Sequence, residues 1–149
     1  LQALNSMCAL LDKFLPERQN YTEIFNATNA FLNLLTLQYE RKNDHWIEGY
    51  VKWEIGVLSS IGFSLDLKRC AVTGANTNLL FVSPKTGKAV SKEGAGRHAP
   101  RLLLLPFFLG GDKVISSNFY NEILAGLNIT SYFFKNKLLL SINTHKPMN

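Results

Sequence analysis

Residues 66–111 read DLKRCAVTGANTNLLFVSPKTGKAVSKEGAGRHAPRLLLLPFFLGG and interrupt the helical spacing of apolar side chains that marks the rest of the chain. Residues 68–101 hold seven basic side chains and one acid, in a chain whose formal net charge is +5. The remainder is therefore almost neutral. We call residues 66–111 the basic insert, and its charge predicts the contact surface for an anionic partner.

The middle of the basic insert predicts a small β-hairpin. Residues 78–83 (NLLFVS) have strand propensity, and residues 84–87 (PKTG) fit a tight turn because proline fixes the backbone angle that the turn needs. Residues 88–91 then return as the partner strand. A lone hairpin is marginally stable, so residues 102–109, apolar but broken by Pro106, are predicted to dock the insert in extended form.

The flanking sequence predicts five helices, three before the insert and two after it. Pro16 ends the first, Asn20 caps the second and Asp44 caps the third. Residues 126–128 (GLN) are expected to separate the fourth helix from the fifth, residues 130–140. The predicted fold class is mainly α, a helical bundle with a small β-hairpin insert, in a single domain of residues 1–149.

Helical spacing also predicts which side chains are buried. In the second helix Ile24, Phe25 and Phe31 fall on the inward stripe, whereas Trp53 falls off the stripe of the third. Trp53 is therefore expected to be an exposed contact residue or an aromatic at a helix boundary. Cys8 lies on an apolar stripe and is expected to be buried.

The composition limits the kind of protein. With 46% hydrophobic and 18% charged residues the chain is globular, and a pI near 9.3 favours nucleic acid, an acidic peptide or a membrane surface as partner. Two cysteines give no disulfide framework, and the longest apolar run is too short to span a bilayer, so a soluble, intracellular protein is expected. Because the apolar spacing is already under way at Leu1, the chain is expected to be part of a longer protein.

Five basic side chains of the insert are the candidate binding residues, for phosphates or for an acidic peptide. The alternative is a solvated loop in a structural or protein-interaction domain that does not bind DNA. Because aromatic side chains for stacking are scarce in the insert, we expect backbone or peptide contacts rather than base readout. The candidate residues are Lys85, Lys88, Lys92, Arg97 and Arg101.

An enzyme is the remaining alternative. Cys70 and His98 could form a nucleophile and base, with Asp66 orienting the histidine. The sequence contains no nucleophile elbow, phosphate loop or His-Glu-x-x-His motif, so we predict that the protein is not an enzyme.

Several segments resemble the C-terminal domain of the RecO family of bacterial DNA repair proteins. Their order and spacing carry the resemblance more than any one of them does. The segments are residues 10–17 (LLDKFLPE), 58–74 (LSSIGFSLDLKRCAVTG), 81–91 (FVSPKTGKAVS), 101–109 (RLLLLPFFL) and 124–134 (LAGLNITSYFF).

The resemblance implies a non-enzymatic role in recombinational repair, in the cytoplasm with the bacterial nucleoid. The implied activities are binding of single- and double-stranded DNA, strand annealing and, with RecR, loading of the recombinase RecA. Another implied partner is the acidic C-terminal tail of single-stranded-DNA-binding protein. Such a tail needs an apolar slot with a basic rim. Residues 102–109 beside Arg97 and Arg101 are one candidate slot, and Arg41 with Lys42 is a second candidate rim.

The chain departs from the family pattern in two ways. It has nothing that resembles the family's N-terminal oligonucleotide-binding barrel. In addition, many members carry two Cys-x-x-Cys pairs that bind zinc, where this chain has Cys70-Ala-Val-Thr73 and Ser91-Lys-Glu-Gly94. Cys70 is a lone remnant of that four-cysteine pattern, and a structural zinc site needs four good donors. We therefore expect no metal, no cofactor and a degenerate zinc-ribbon-like insert.

Overall fold

The computed structural model describes residues 2–15, 21–41 and 44–144, which form two compact units, Leu1–Ser64 and Leu65–Asn149. The prediction that residues 1–149 form one domain stays a prediction.

The first unit consists of three helices, α1 (Gln2–Phe14), α2 (Thr22–Arg41) and α3 (Trp46–Ser60). Helices α2 and α3 pack closely because Gly49 has no side chain at their crossing, where an added Cβ would overlap Leu34. The indole N–H of Trp53 donates to the Thr28 hydroxyl at 2.9 Å and joins the two helices.

Several predictions for the first unit are wrong. Trp53 is 3% exposed and Phe25 is 66% exposed, so these two residues depart from the predicted stripes, whereas Ile24 and Phe31 are buried as predicted. The indole can turn inward because its N–H finds a partner in Thr28. Cys8 is exposed. Asp44 does not cap α3, since His45 occupies the cap position and makes no side-chain capping bond there, and Asn20 lies outside the described residues.

The second unit contains an antiparallel sheet of three short strands, β1 (Leu79–Val82), β2 (Ala89–Ser91) and β3 (Leu103–Leu104), in the order β2-β1-β3. The predicted hairpin is confirmed as β1 and β2, with Val82 opposite Ala89. The predicted extended segment, residues 102–109, supplies β3, which pairs with β1 on its other side. The segment therefore joins the sheet itself as well as packing on a helix.

Asp112, which directly follows the basic insert, is tied back to the start of β1. The backbone N–H of Asn78 donates to Asp112 Oδ2 at 2.6 Å, and the N–H of Asp112 donates to the Leu79 carbonyl oxygen at 2.9 Å. Asn78 has a φ of 55°, a left-handed conformation that asparagine tolerates better than most residues. We call these two bonds the Asp112 clasp.

A short helix, α4 (Lys92–Ala95), follows β2, and a long helix, α5 (Phe119–Thr144), follows the basic insert and packs against β3 and the 3₁₀ turn Phe107–Leu109. The predicted break at residues 126–128 is wrong. Gly126 is buried inside the helix, and a glycine there costs only about 1 kcal/mol relative to alanine, which packing offsets. Thr130 lies one turn later and donates its hydroxyl to backbone oxygens of that turn.

The predicted class, mainly α with a small β insert, is confirmed, and the sheet has three strands rather than two. Within the described part of the chain, no helix combines the length and apolar character required to cross a bilayer.

Candidate nucleic-acid interface

The turn between β1 and β2 presents Lys85 and Lys88 at one end of the hairpin. The N–H of Ser83 donates to the Lys88 carbonyl oxygen at 2.9 Å, and the N–H of Gly87 donates to the Ser83 carbonyl oxygen at 2.9 Å. Gly87 can close this turn because its φ is 69°, which favours glycine. Both lysine side chains are consequently exposed.

The other three candidate residues follow β2. Ser91 ends the strand and caps the short helix α4 (Lys92–Ala95), where its hydroxyl accepts the Gly94 N–H at 3.0 Å. A 3₁₀ helix, Gly96–Arg101, continues from it and carries both arginines. Lys92, Arg97 and Arg101 are exposed. Since β2 rises about 3.3 Å per residue, Lys92 lies about 13 Å along the strand direction from Lys88.

Two further exposed cations, Lys68 and Arg69, lie on a segment that runs beside β2. Asp66 pairs with Lys88 in a parallel bridge, and the Ala89 N–H donates to the Asp66 carbonyl oxygen at 2.8 Å. The chain from residue 66 therefore runs along the free edge of β2, and both cations are exposed there. The charge count of residues 68–101 includes Lys68 and Arg69, but nothing local in the sequence shows this non-local pairing.

These seven side chains form no ion pair with any acid whose side chain the structure describes. The acids of the second unit are occupied by neutral donors. Glu93 accepts the Asn78 amide at 3.2 Å, Asp112 accepts the Asn78 N–H, and Glu122 accepts from the Phe107 N–H and the Ser117 hydroxyl. The positive charge is thus left uncompensated and available to a solvent-side anion. We call these side chains the basic surface: Lys68, Arg69, Lys85, Lys88, Lys92, Arg97 and Arg101.

The Cys70 thiol belongs to the first of the two segments that correspond to the zinc-binding pairs, and it contacts the second. It is 3% exposed, and its sulfur accepts the Val72, Thr73 and Ser91 N–H groups at 3.4, 3.3 and 3.2 Å. Burial raises the pKa of this thiol, but hydrogen bonds from Ser91 and Thr73 outweigh it and lower the pKa to about 6.

The residues present do not fit a structural zinc ion. Thr73, Ser91 and Gly94 stand where three thiolates would be needed, and neutral hydroxyls or a bare backbone are poor donors for zinc. The described part of the chain contains no group of three or more His, Cys, Asp or Glu side chains that could hold a metal.

The alternative of a cysteine-dependent enzyme receives no geometric support. His98 is exposed on the 3₁₀ helix, and its imidazole takes part in no hydrogen bond or ion pair with the residues that the structure describes. Asp66 Oδ1 accepts the Lys68 N–H at 3.4 Å instead of orienting the histidine. The Cys70 sulfur is already engaged by three backbone amides, and general-base catalysis requires the nucleophile and base within hydrogen-bond reach.

An open groove of about 510 Å³ runs between β3 and the start of α5. It is lined by residues 102–106 and by the side chains of Leu124 and Asn121, among others. Leu104 and Leu124 are 62% and 45% exposed, so only part of residues 102–109 is core. The groove begins directly after Arg101. Of the second candidate rim, Arg41 ends α2, and Lys42 lies outside the described residues.

Comparison with known proteins identifies the chain's family. Residues 1–145 match the family model described as "Recombination protein O C terminal". The chain is 41% identical over 138 residues to the DNA repair protein RecO of Ruegeria sp. strain TM1040, covering 93% of this chain and 54% of that protein. It is 42% identical over 149 residues to the RecO of Rhodospirillum centenum, covering 99% of this chain and 56% of that protein.

The chain thus spans little more than half the length of the curated relatives it matches. No solved structure matches it significantly. The family-model match and the similar relatives lead to one conclusion: the chain belongs to the RecO family of DNA repair proteins and matches the family's C-terminal part.

Proposed function

We propose that this chain acts in recombinational DNA repair without catalysing a reaction itself, by holding the phosphate backbone of single- and double-stranded DNA on the basic surface. Neutralising phosphates on two strands lowers their repulsion and so favours annealing of complementary strands. The observation that carries the proposal is a set of seven exposed cations without acidic partners in the described part of the chain.

The proposed role in the cell follows from the chain's membership of the RecO family. We infer that the protein works with RecR, reaches strands coated with single-stranded-DNA-binding protein, and thereby helps to load RecA in the bacterial cytoplasm, at the nucleoid. Bases are not read directly in this mechanism. Phe81 is half-buried in β1, and phosphate contacts position a protein on DNA without carrying sequence information.

The test is a salt series for binding of single-stranded DNA. If about four cations contact phosphates, the affinity of the parent protein should fall about fifty-fold between 50 and 200 mM salt. Reversing the charge at Lys85, Lys88 and Arg97 to glutamate should make the logarithmic salt slope shallower by about 2, because three phosphate contacts are lost.

The matched control reverses the same number of charges elsewhere. Lys13, Lys52 and Lys135 are exposed lysines on α1, α3 and α5, outside the basic surface. Changing all three to glutamate gives the same net charge, so a long-range effect of charge would weaken both triple variants equally. Equal slopes for the two variants would leave a structural or protein-interaction domain as the better description.

We further infer that the groove between β3 and α5 takes the acidic C-terminal tail of single-stranded-DNA-binding protein. Exposed Leu104 and Leu124 offer apolar contacts, and Arg101, which directly precedes the first lining residue Leu102, would supply a cation for a carboxylate. Such a pairing of an apolar slot with a basic rim suits a peptide that ends in apolar residues and a carboxylate.

A glutamate in the groove should repel the tail. We expect Leu104→Glu and Leu124→Glu each to weaken a tail peptide at least about tenfold in calorimetry, a loss of about 1.4 kcal/mol. Ile115→Glu is the control, because Ile115 is 99% exposed and does not line the groove. Unchanged tail affinity in both groove variants would place the peptide elsewhere while leaving DNA binding by the basic surface intact.

A further inference from the structure

Two short segments of the second unit meet at one sulfur atom. Residues 70–73 and residues 91–94 correspond to the two Cys-x-x-Cys pairs of the zinc-binding relatives, and we call them the first and second knuckle. The Cys70 sulfur accepts the Val72 and Thr73 N–H groups from its own knuckle and the Ser91 N–H from the other. A single sulfur atom therefore joins both knuckles. In a zinc ribbon the metal ion makes this connection.

The contact between the knuckles leaves little room for a fourth ligand. A Cβ at Gly94 would lie 2.8 Å from the Cys70 sulfur, 3.1 Å from Val72 Cβ and 3.2 Å from Ser91 Oγ. These distances are well below ordinary van der Waals contact. The backbone of the second knuckle thus rests directly against the sulfur, whereas zinc would need ligand atoms about 2.3 Å from a central ion.

The remaining polar groups of the knuckles are also satisfied without metal. Ser91 is 0% exposed, and its hydroxyl accepts the Gly94 N–H at 3.0 Å. The Thr73 hydroxyl accepts the Ala75 N–H at 3.3 Å, and the Cys70 N–H donates to the Ala75 carbonyl oxygen at 2.7 Å. The Thr73 and Ser91 hydroxyls, which stand at zinc-ligand positions of the family pattern, therefore each have a backbone hydrogen-bond partner. Such partners are the usual requirement for burying polar groups.

We propose that the Cys70 sulfur, with the three backbone amides it accepts and the Gly94 backbone packed against it, closes the two knuckles in place of a zinc ion. In this arrangement β2 and α4 are fixed relative to the loop of residues 70–78 by hydrogen bonds and packing alone. The cysteine is consequently a structural centre of the basic insert. This inference concerns stability and is independent of whether the chain binds DNA.

The first test is metal content and response to a chelator. The full chain, purified without added metal, should contain well under one metal ion per molecule, and its melting temperature should be the same with and without EDTA. One bound zinc per chain, together with a melting temperature that EDTA lowers, would overturn the proposal.

The second test removes the sulfur. Cys70→Ala should lower the melting temperature by at least about 5 °C, since one buried and two part-buried N–H groups lose their acceptor. Cys8→Ala is the matched control, because Cys8 is exposed and should shift the melting temperature by no more than about 1 °C. Equal melting of the two variants would contradict a structural role for Cys70.

If the sulfur contributes strongly to stability, Cys70→Ala will not fold. In that case hydrogen exchange of the parent protein provides the test. The amides of Val72, Thr73 and Ser91 should be protected in metal-free protein because each donates to the sulfur. Exchange of these three amides at the rate of an open loop would overturn the proposal.

Discussion

Trp53→Ala should lower the free energy of unfolding by about 3–5 kcal/mol, the range measured for removal of a large buried aromatic side chain. Trp53 is 3% exposed, its ring lies 5.9 Å from that of Tyr50, and its N–H donates to Thr28 on the neighbouring helix. The substitution removes the packing between α2 and α3 and leaves a cavity. Urea unfolding followed by circular dichroism measures the change.

Phe25→Ala is the informative control for Trp53→Ala. Phe25 is 66% exposed, so its removal should change the free energy of unfolding by no more than about 0.5 kcal/mol. Helical spacing alone ranks the two positions in the opposite order. A larger loss of stability at Phe25 than at Trp53 would therefore show that α2 and α3 pack in the register that the apolar stripe predicts.

Gly111→Ala should destabilise the protein by about 3 kcal/mol or more. A Cβ at Gly111 would overlap the Leu105 carbonyl oxygen and lie 3.0 Å from the carbonyl oxygen of Pro106. Both are backbone atoms, so no side-chain rotation relieves the clash. The bend that brings residues 105–111 together would have to open, and β3 would lose its position against β1.

Gly56→Ala is the matched control for Gly111→Ala. Gly56 lies inside α3, and an added Cβ there meets nothing within 4 Å. Alanine is the better helix former, so this variant should be more stable by about 0.5–1 kcal/mol. Opposite signs for the two glycine variants are the expected outcome, and a neutral Gly111→Ala would contradict the close approach at the bend.

Local sequence chemistry was sufficient to predict the hairpin. The turn at residues 84–87 depends on a proline and a glycine within four residues, and both strands are contiguous with it. The buried faces were harder to predict. The Trp53 side chain turns inward because its N–H donates to Thr28, which lies 25 residues away on another helix. The spacing of apolar residues within one helix carries no information about that partner.

The break predicted at residues 126–128 shows a second limit. Glycine and asparagine lower helix propensity, but a weak local preference is overridden when the helix packs in the tertiary structure, as around buried Gly126. The exposure of the five candidate cationic side chains could be predicted from their charge. The neighbours Lys68 and Arg69 could not be placed beside them, because residue 66 meets residue 88 only in the folded chain.

The Asp112 clasp has a consequence for the order of folding. The bond between Asn78 and Asp112 spans 34 residues, and all pairings of β1, β2 and β3 lie inside that interval. Closing a loop of this length has a modest entropic cost, and contacts between residues close in sequence favour rapid folding. Every residue that these pairings need is therefore present once Asp112 has been synthesised, before any residue of α5.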